Sequence, residues 1–429
     1  YYRLYDLKKS VQLIVTYPMP GFKEEWKHKK FHAVFDYLQN NALPRSALNY
    51  ESGEIKNIHY GDVLIKFGEY IDVSKETLPY IIDEDSVAKY GNSFLIDGDV
   101  VIADTAEDYM VGKCVEVISC GTERVLAGLH TIPCRPKDKY ASKFLGYYMN
   151  SEAYHRPLLP LIQGTKVKSI SKHALQDSDM YIPMSGVEQG KIGDYFSQLD
   201  LLIDLQQNEV DRLICMRKAM VERMFPQDGA DTPAVRFRQY KKPWKLCQFS
   251  EIFTERHIID TISDEYPQLA FTIEEGVIRP EDKKTNKRDF LIIDKANKKY
   301  LQTEYDDIIY NPANVIYGAI HRNALGKGCV SPIYKIFYTE QDSSFMECIV
   351  RHPRFIKEIS RSMEGTVKKL RTLKPKAFLE MSAYIAPTIE EQQQIGEYFR
   401  QMDRLIEIEK EELEKIKHIK SACMEKMFV

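Results

Sequence analysis

Nowhere in the 429-residue chain do 18 consecutive apolar residues occur, so the sequence offers no helix able to cross a bilayer. The segment Val11-Gln12-Leu13-Ile14-Val15 is too short for the apolar part of a signal peptide and lacks a small-residue cleavage site. Eight cysteines (Cys114, Cys120, Cys134, Cys215, Cys247, Cys329, Cys348, Cys423) are scattered without a C-x-x-C pair. That is neither a zinc pattern nor a disulfide framework, and it fits a reducing, cytoplasmic setting. The ten histidines show no metal-ligand spacing. No G-x-x-x-x-G-K-[ST] loop is present, which excludes the usual nucleotide motor.

What is there is ordinary in bulk and uneven in detail. Apolar residues make up 44% and charged residues 29%, a globular composition with room for two or three domains. The net charge of −3 hides segregation. Glu51 to Met110 holds 4 basic and 14 acidic residues, whereas Val111 to Lys172 holds 10 basic and 4 acidic. Arg351 to Lys376 holds 9 basic and 2 acidic. A surface that meets phosphate needs local positive charge, not a high overall pI, so both basic stretches are candidates.

The most informative feature is a repetition. Glu188-Gln189-Gly190-Lys191-Ile192-Gly193-Asp194-Tyr195-Phe196-Ser197-Gln198-Leu199-Asp200 returns as Glu391-Gln392-Gln393-Gln394-Ile395-Gly396-Glu397-Tyr398-Phe399-Arg400-Gln401-Met402-Asp403, and the match continues to Met224-Phe225 and Met427-Phe428. A period near 200 residues is too long for a solenoid, whose units run roughly 20–50 residues. It predicts two copies of a domain plus a helix, related by a pseudo-twofold.

Each half also opens alike. Trp26 is followed by Phe31, Val34 and Phe35, and Trp244 by Phe249, Ile252 and Phe253, a spacing that predicts a short amphipathic helix. Strands are expected at Asp62–Gly68, Ser93–Ile102 and Cys114–Ile118, then at Phe290–Ile293, Asp307–Tyr310 and Ile333–Phe337. Helices are expected over Lys143–Ser151 and Phe345–Ser362. The organisation expected is an N-terminal segment (1–17), a mixed α/β domain (18–187), a long helix (188–225), a linker (226–243), a second α/β domain (244–389) and a second long helix (390–429).

Steps of four and three from Ile192 and from Ile395 each meet eight apolar residues in ten, the signature of a coiled-coil seam. The polar exceptions are Gln206 and Arg217 in the first helix, Glu409 and Lys420 in the second. A parallel pairing would oppose Arg217 and Lys420. An antiparallel pairing sets Arg217 against Glu409 and Gln206 against Lys420, so an intramolecular antiparallel coiled coil in that register is expected. Two separate amphipathic helices docked on their own domains are the plainer alternative. The segment Leu199–Met224 would span roughly 39 Å at 1.5 Å per residue, close to one turn of B-DNA at about 34–36 Å.

The two halves, each closing on Glu-Gln-x-x-Ile-Gly-x-Tyr-Phe-x-Gln-x-Asp-x-Leu-Ile and a long helix, resemble the specificity subunit of Type I restriction–modification systems. The resemblance covers nearly the whole chain. It implies two target recognition domains that each read half of a split double-stranded DNA sequence, and paired helices that set the unread spacer. It also implies docking of two modification subunits, which bring S-adenosylmethionine and methylate adenine at N6, and of restriction subunits that complete the nuclease. It implies no catalysis, no metal and no cofactor in this chain. In agreement, the nearest approach to an adenine methyltransferase motif, Asn311-Pro312-Ala313-Asn314, lacks the second proline and the aromatic ring. A coiled-coil adaptor joining protein partners without DNA is the alternative from another class.

For DNA contact, the basic runs after each Gly-Thr suit phosphate: Lys166, Lys168 and Lys172, then Lys368, Lys369, Arg371 and Lys374. A solvated surface explains such runs equally well, but these recur at equivalent places. Base-reading candidates are Arg124 and His130 in the first domain and Tyr317, His321, Arg322 and Asn323 in the second. The 27 tyrosines carry no stacking claim, since tyrosine is also a common core residue.

Overall fold

The structure of the chain is a computed structural model, and it describes residues 22, 25–227, 229–282, 298–363 and 371–428. The expected N-terminal segment 1–17 and the expected strand Phe290–Ile293 lie outside them. The chain divides into two compact units, Tyr1–Asn208 with Glu411–Val429, and Glu209–Lys410. The helices Gly186–Met224 and Ile389–Lys426 each begin in one unit and end in the other.

Both units are mixed α/β and share one sheet plan. In the first, strands Phe35–Tyr37, Thr131–Pro136, Val100–Ala103, Cys114–Ile118 and Tyr70–Asp72 lie side by side in that order, antiparallel except for the last pair. In the second, Thr254–Glu255, Lys335–Tyr338, Ile308–Tyr310 and Ile320–Arg322 take the first four places, antiparallel throughout. A hairpin-like pair closes each unit at its base: Lys27–Lys30 with Asp179–Ile182, and Lys245–Gln248 with Ser382–Ile385. The short helices expected after each tryptophan are Phe31–Val34 and Phe249–Ile252.

Two local expectations are corrected. Asp62–Gly68 contributes to a helix, Tyr60–Ile65, because the His59 ring accepts the Gly61 N–H at its start and only Asp62 and Val63 turn inward. A run such as Val-Leu-Ile fits either period, and the cap decides. Of Ser93–Ile102, only Val100 onward is strand. The expected linker is partly structure too: Val235 and Phe237 pack on the second unit's core, and Arg236 grips Glu391 at 2.6 and 2.8 Å.

The repeated motif does the same work twice. Glu188 and Glu391 each accept the indole N–H of Trp26 or Trp244 at 3.2 Å. Gln189 and Gln392 donate to the Pro183 and Ala386 carbonyls at 2.8 Å and accept the N–H of Ala141 and Asp342, which ties helix start to domain. Gly193 and Gly396 permit close approach: a Cβ there would stand 2.7 Å from the Ser142 carbonyl oxygen or 2.5 Å from Asp342 Oδ1. Phe196 stacks on Phe428 at 5.5 Å in the first unit, and Phe399 meets Phe225 at 6.1 Å in the second.

The seam positions are largely buried, Gln206 included, and the helix segments within each unit run antiparallel. The expected register is wrong. Arg217 pairs with Asp403, not Glu409, and Lys420 pairs with Asp200 at 2.6 Å and Glu69 at 2.8 Å, not Gln206. These and the Tyr195–Cys423 contact lie about two helical turns from the expected level. The aromatic docking of Phe428 and Phe225 sets the level: burying a phenyl side chain stabilises by about 2–3 kcal/mol, whereas a partly exposed ion pair contributes about 1 kcal/mol or less.

Glu391→Gln should be the most damaging conservative change in the motif. The side chains of Arg236 and Glu391 are 9% and 0% exposed, so removing the carboxylate strands a buried guanidinium at a loss of about 3–5 kcal/mol. Thermal or denaturant unfolding of the full chain measures it; Glu397→Gln, on the exposed face, should change stability by less than about 0.5 kcal/mol.

Candidate nucleic-acid interface

In the first unit the basic run sits on a built turn. Gln163 and Ser169 exchange both backbone hydrogen bonds (2.9 and 2.8 Å), and only glycine fits at Gly164, where φ is 103° and a Cβ would stand 2.0 Å from the Val167 carbonyl oxygen. Lys166 is thereby exposed at the tip. Lys168–Ser169 then pairs antiparallel with Thr105–Ala106, and the Ile170 N–H donates to the Asp104 carbonyl at 2.9 Å. Asp104 N–H in turn donates to the carbonyl of His130, whose ring lies 3.4 Å from the Asp104 carboxylate. The strand Thr105–Ala106 thus brings Lys168 and His130 together. Lys168 lies over the exposed ring of Tyr109. Lys172 opens a short helix, with its ammonium over Tyr37 and 3.4 Å from the Leu38 carbonyl.

Arg124 does not join this face. Its guanidinium covers Phe94 at 4.7 Å and stands 3.5 Å from Glu54.

The second unit repeats the strapping. Leu373 N–H donates to the Pro312 carbonyl at 3.0 Å, as Ile170 does to Asp104, and the Tyr310 hydroxyl donates to the Leu373 carbonyl at 3.3 Å. Arg371 and Lys374 flank that bond, Lys374 exposed and Arg371 half-buried. Lys368 and Lys369 lie outside the described residues. Tyr317 stands on the strapped loop, 69% exposed.

The cluster His321-Arg322-Asn323 is corrected: it is framework. Asn323 is fully buried, and its amide donates to Glu304 and Gly326 carbonyls while its oxygen accepts from Leu325 and Gly326. His321 is buried, bonded to the Ile273 carbonyl at 2.8 Å and to Arg351 at 2.7 Å. Burial, and then the Arg351 charge, push its pKa down to about 4. Arg322, its side chain 8% exposed, pairs with Asp306 at 2.8 Å and faces Glu347 at 3.6 Å. A strand end rich in polar side chains looks the same in sequence whether it faces a groove or closes a turn.

Two features lay beyond sequence reasoning. The tryptophan–glutamate bonds link residues 162 and 147 apart. The pairing of Tyr109 with Tyr317 as loop equivalents is hidden because the loops differ in length. Among the described residues no group of three or more His, Cys, Asp or Glu is placed to hold a metal ion, and no described helix is long and apolar enough to cross a membrane.

The chain thus carries two mixed α/β units of one sheet plan, each with a basic strap fastened to a loop. Residues 23–213 match the Type I restriction modification DNA specificity domain. The chain is 22% identical over 424 residues to a protein described as the MjaX type I restriction enzyme specificity subunit of Methanocaldococcus jannaschii, covering 94% of this chain and 92% of that one. It shares the fold of the Type I restriction–modification S subunit from M. genitalium, with a TM-score of 0.56 at 14% identity over 97% and 98% of the two chains. A chain from a structure on assembly and conformational transition of the Type I R-M system aligns with a TM-score of 0.51 at 13% identity over 94% and 97%. Residues 23–213 thus match the specificity domain of Type I restriction–modification systems, and over nearly its whole length the chain is similar to a protein described as a specificity subunit.

His321→Ala should lower stability by about 1–3 kcal/mol, the penalty for stranding buried hydrogen-bonding groups, and leave the recognised sequence unchanged. Because burial depresses this pKa, the neutral ring's contribution is complete above the unfolded value near 6.5 and is lost as pH falls from there toward about 4. Melting curves across that window should show less acid sensitivity in the variant.

Proposed function

We propose that this chain reads a bipartite, asymmetric double-stranded DNA target, one half-site per unit, and sets the unread gap through its two long helices. The observation that supports the reading is the basic strap, built twice on the same strand of the same sheet plan by the same backbone bond, Ile170 to Asp104 and Leu373 to Pro312. Lys166 and Lys374 are exposed beside these bonds, where their charge suits a phosphate backbone. The asymmetry follows from the loops. The units agree in sheet order and helix motif and differ between strands, where base edges are read.

In this reading the chain itself catalyses nothing. Adenine N6 methylation belongs to two modification subunits that dock on it and carry S-adenosylmethionine. Restriction subunits add cleavage, and the assembly works in the cytoplasm. Lys166, Lys168 and Lys172 position the duplex in the first unit, with Arg371 and Lys374 doing so in the second.

Two measurements test this. With the modification subunit bound, changing Lys166, Lys168 and Lys172 to Gln should weaken DNA binding uniformly across sequences. The slope of log affinity against log salt should flatten by up to about 3, near 0.9 for each phosphate no longer neutralised. A long-read adenine methylation map of cells with and without this chain should show a two-part motif with a fixed gap that disappears with it. Unchanged maps alongside an active modification subunit would favour a protein adaptor.

A further inference from the structure

Each unit exposes one tyrosine at the same point of its sheet plan. Tyr109 stands between the strands Val100–Ala103 and Cys114–Ile118, and Tyr317 between Ile308–Tyr310 and Ile320–Arg322. The rings are 66% and 69% exposed. Neither loop is loose. Gly112 N–H closes the first on the Ala103 carbonyl at 2.9 Å, and Asn311 N–H closes the second on the Ala319 carbonyl at 2.9 Å. Val111 and Val315, both fully buried, pin the loops to their cores, and Gly112 and Gly318 turn the chain at φ 89° and 90°. The basic strap fastens each loop again at Asp104 or Pro312.

Two large rings held in water by rigid loops, beside cations, make contact area without giving up much conformational entropy when a partner arrives. Resting on the DNA-recognition reading above, we infer that Tyr109 and Tyr317 are equivalent DNA contacts, each laying its ring against a nucleotide of its own half-site. Lys168, now over the Tyr109 ring, is then free for the adjacent phosphate.

The acidic neighbours refine the assignment. Glu107 and Asp108 beside Tyr109 would repel phosphate. The Asp108 carboxylate is turned to the Met110 N–H at 2.8 Å. A carboxylate at base level is tolerated where it accepts from cytosine N4 or adenine N6. The Tyr109 loop therefore addresses base edges, and phosphate is left to Lys166 and Lys168. The Tyr317 loop carries Asn311, Pro312 and Asn314 and no acidic residue, so its half-site should differ.

The test uses the full chain in cells with its modification subunit, read by methylation mapping. Tyr109→Ala should relax preference in one half of the motif, with about tenfold loss of discrimination at the affected position, within the range that one mismatched base pair costs. Tyr317→Ala should do so in the other half. Tyr109→Phe and Tyr317→Phe, which keep the ring, should restore the wild-type map, and melting curves confirm that all four variants fold. A uniform fall in methylation with the motif intact would place the rings on a protein partner and overturn the inference, as would an unchanged map. The Lys166/Lys168 double Gln variant separates the two levels. If it lowers methylation while Tyr109→Ala does not, only the tyrosine assignment fails. If it too changes nothing, the recognition reading of this face fails with it.

Discussion

Two phenyl rings at the far ends of the long helices hold the fold to its plan. Phe428 packs among Trp26, Tyr148 and Phe196, with ring centroids 5.5 to 6.2 Å apart, and Phe225 packs among Trp244, Phe345 and Phe399. Truncating a core phenylalanine typically removes about 3–5 kcal/mol, a large share of what a domain has to spare. Each unit's core is therefore incomplete without the last turn of a helix that starts in the other half of the sequence. The helix register, the placement of Lys420 beside Asp200 and of Arg217 beside Asp403, and the antiparallel direction all follow from seating those two rings.

The repeated motif divides its labour cleanly. The glutamate anchors an indole, the glutamine joins helix to domain, the glycine lets a neighbouring helix approach, the phenylalanine enters the core and the aspartate receives a cation from the opposite helix. Because so short a motif specifies the scaffold, the loops between the strands are free to diverge. They have diverged: the loop after Ala103 carries Glu107, Asp108 and Tyr109, whereas the loop after Tyr310 carries Asn311, Pro312 and Asn314. A frame that is constant and loops that are not is what a protein needs if it must read two different sequences with one architecture.

Much of this frame was legible in the sequence because it is periodic or duplicated. The heptad seam, the doubled motif and the tryptophan-led short helices all rest on spacing. Register was not legible. Seam residues alone pointed to Arg217 facing Glu409, but the carboxylate that wins, Asp403, sits one step beside the seam within the motif itself. Nor could sequence separate a polar strand end that closes a turn from one that faces a groove. Asn323 has the right chemistry for an adenine edge and spends all of it on Glu304, Leu325 and Gly326. Burial decides such cases, and burial is a property of the packed chain. The basic runs were visible as composition, while the backbone bonds that strap them to the loops emerge only from the fold.

One consequence concerns the order in which the protein is made. The second unit is a single uninterrupted stretch, 209–410, whereas the first is interrupted and finished by residues 411–428. A ribosome adding roughly 5–20 residues per second delivers everything the second unit requires before Phe428 emerges. For tens of seconds the half synthesised first waits with Trp26, Tyr148 and Phe196 uncovered, and then closes on the final turn of the last helix. The unit whose residues are made first is thus completed only when residues 411–428 arrive.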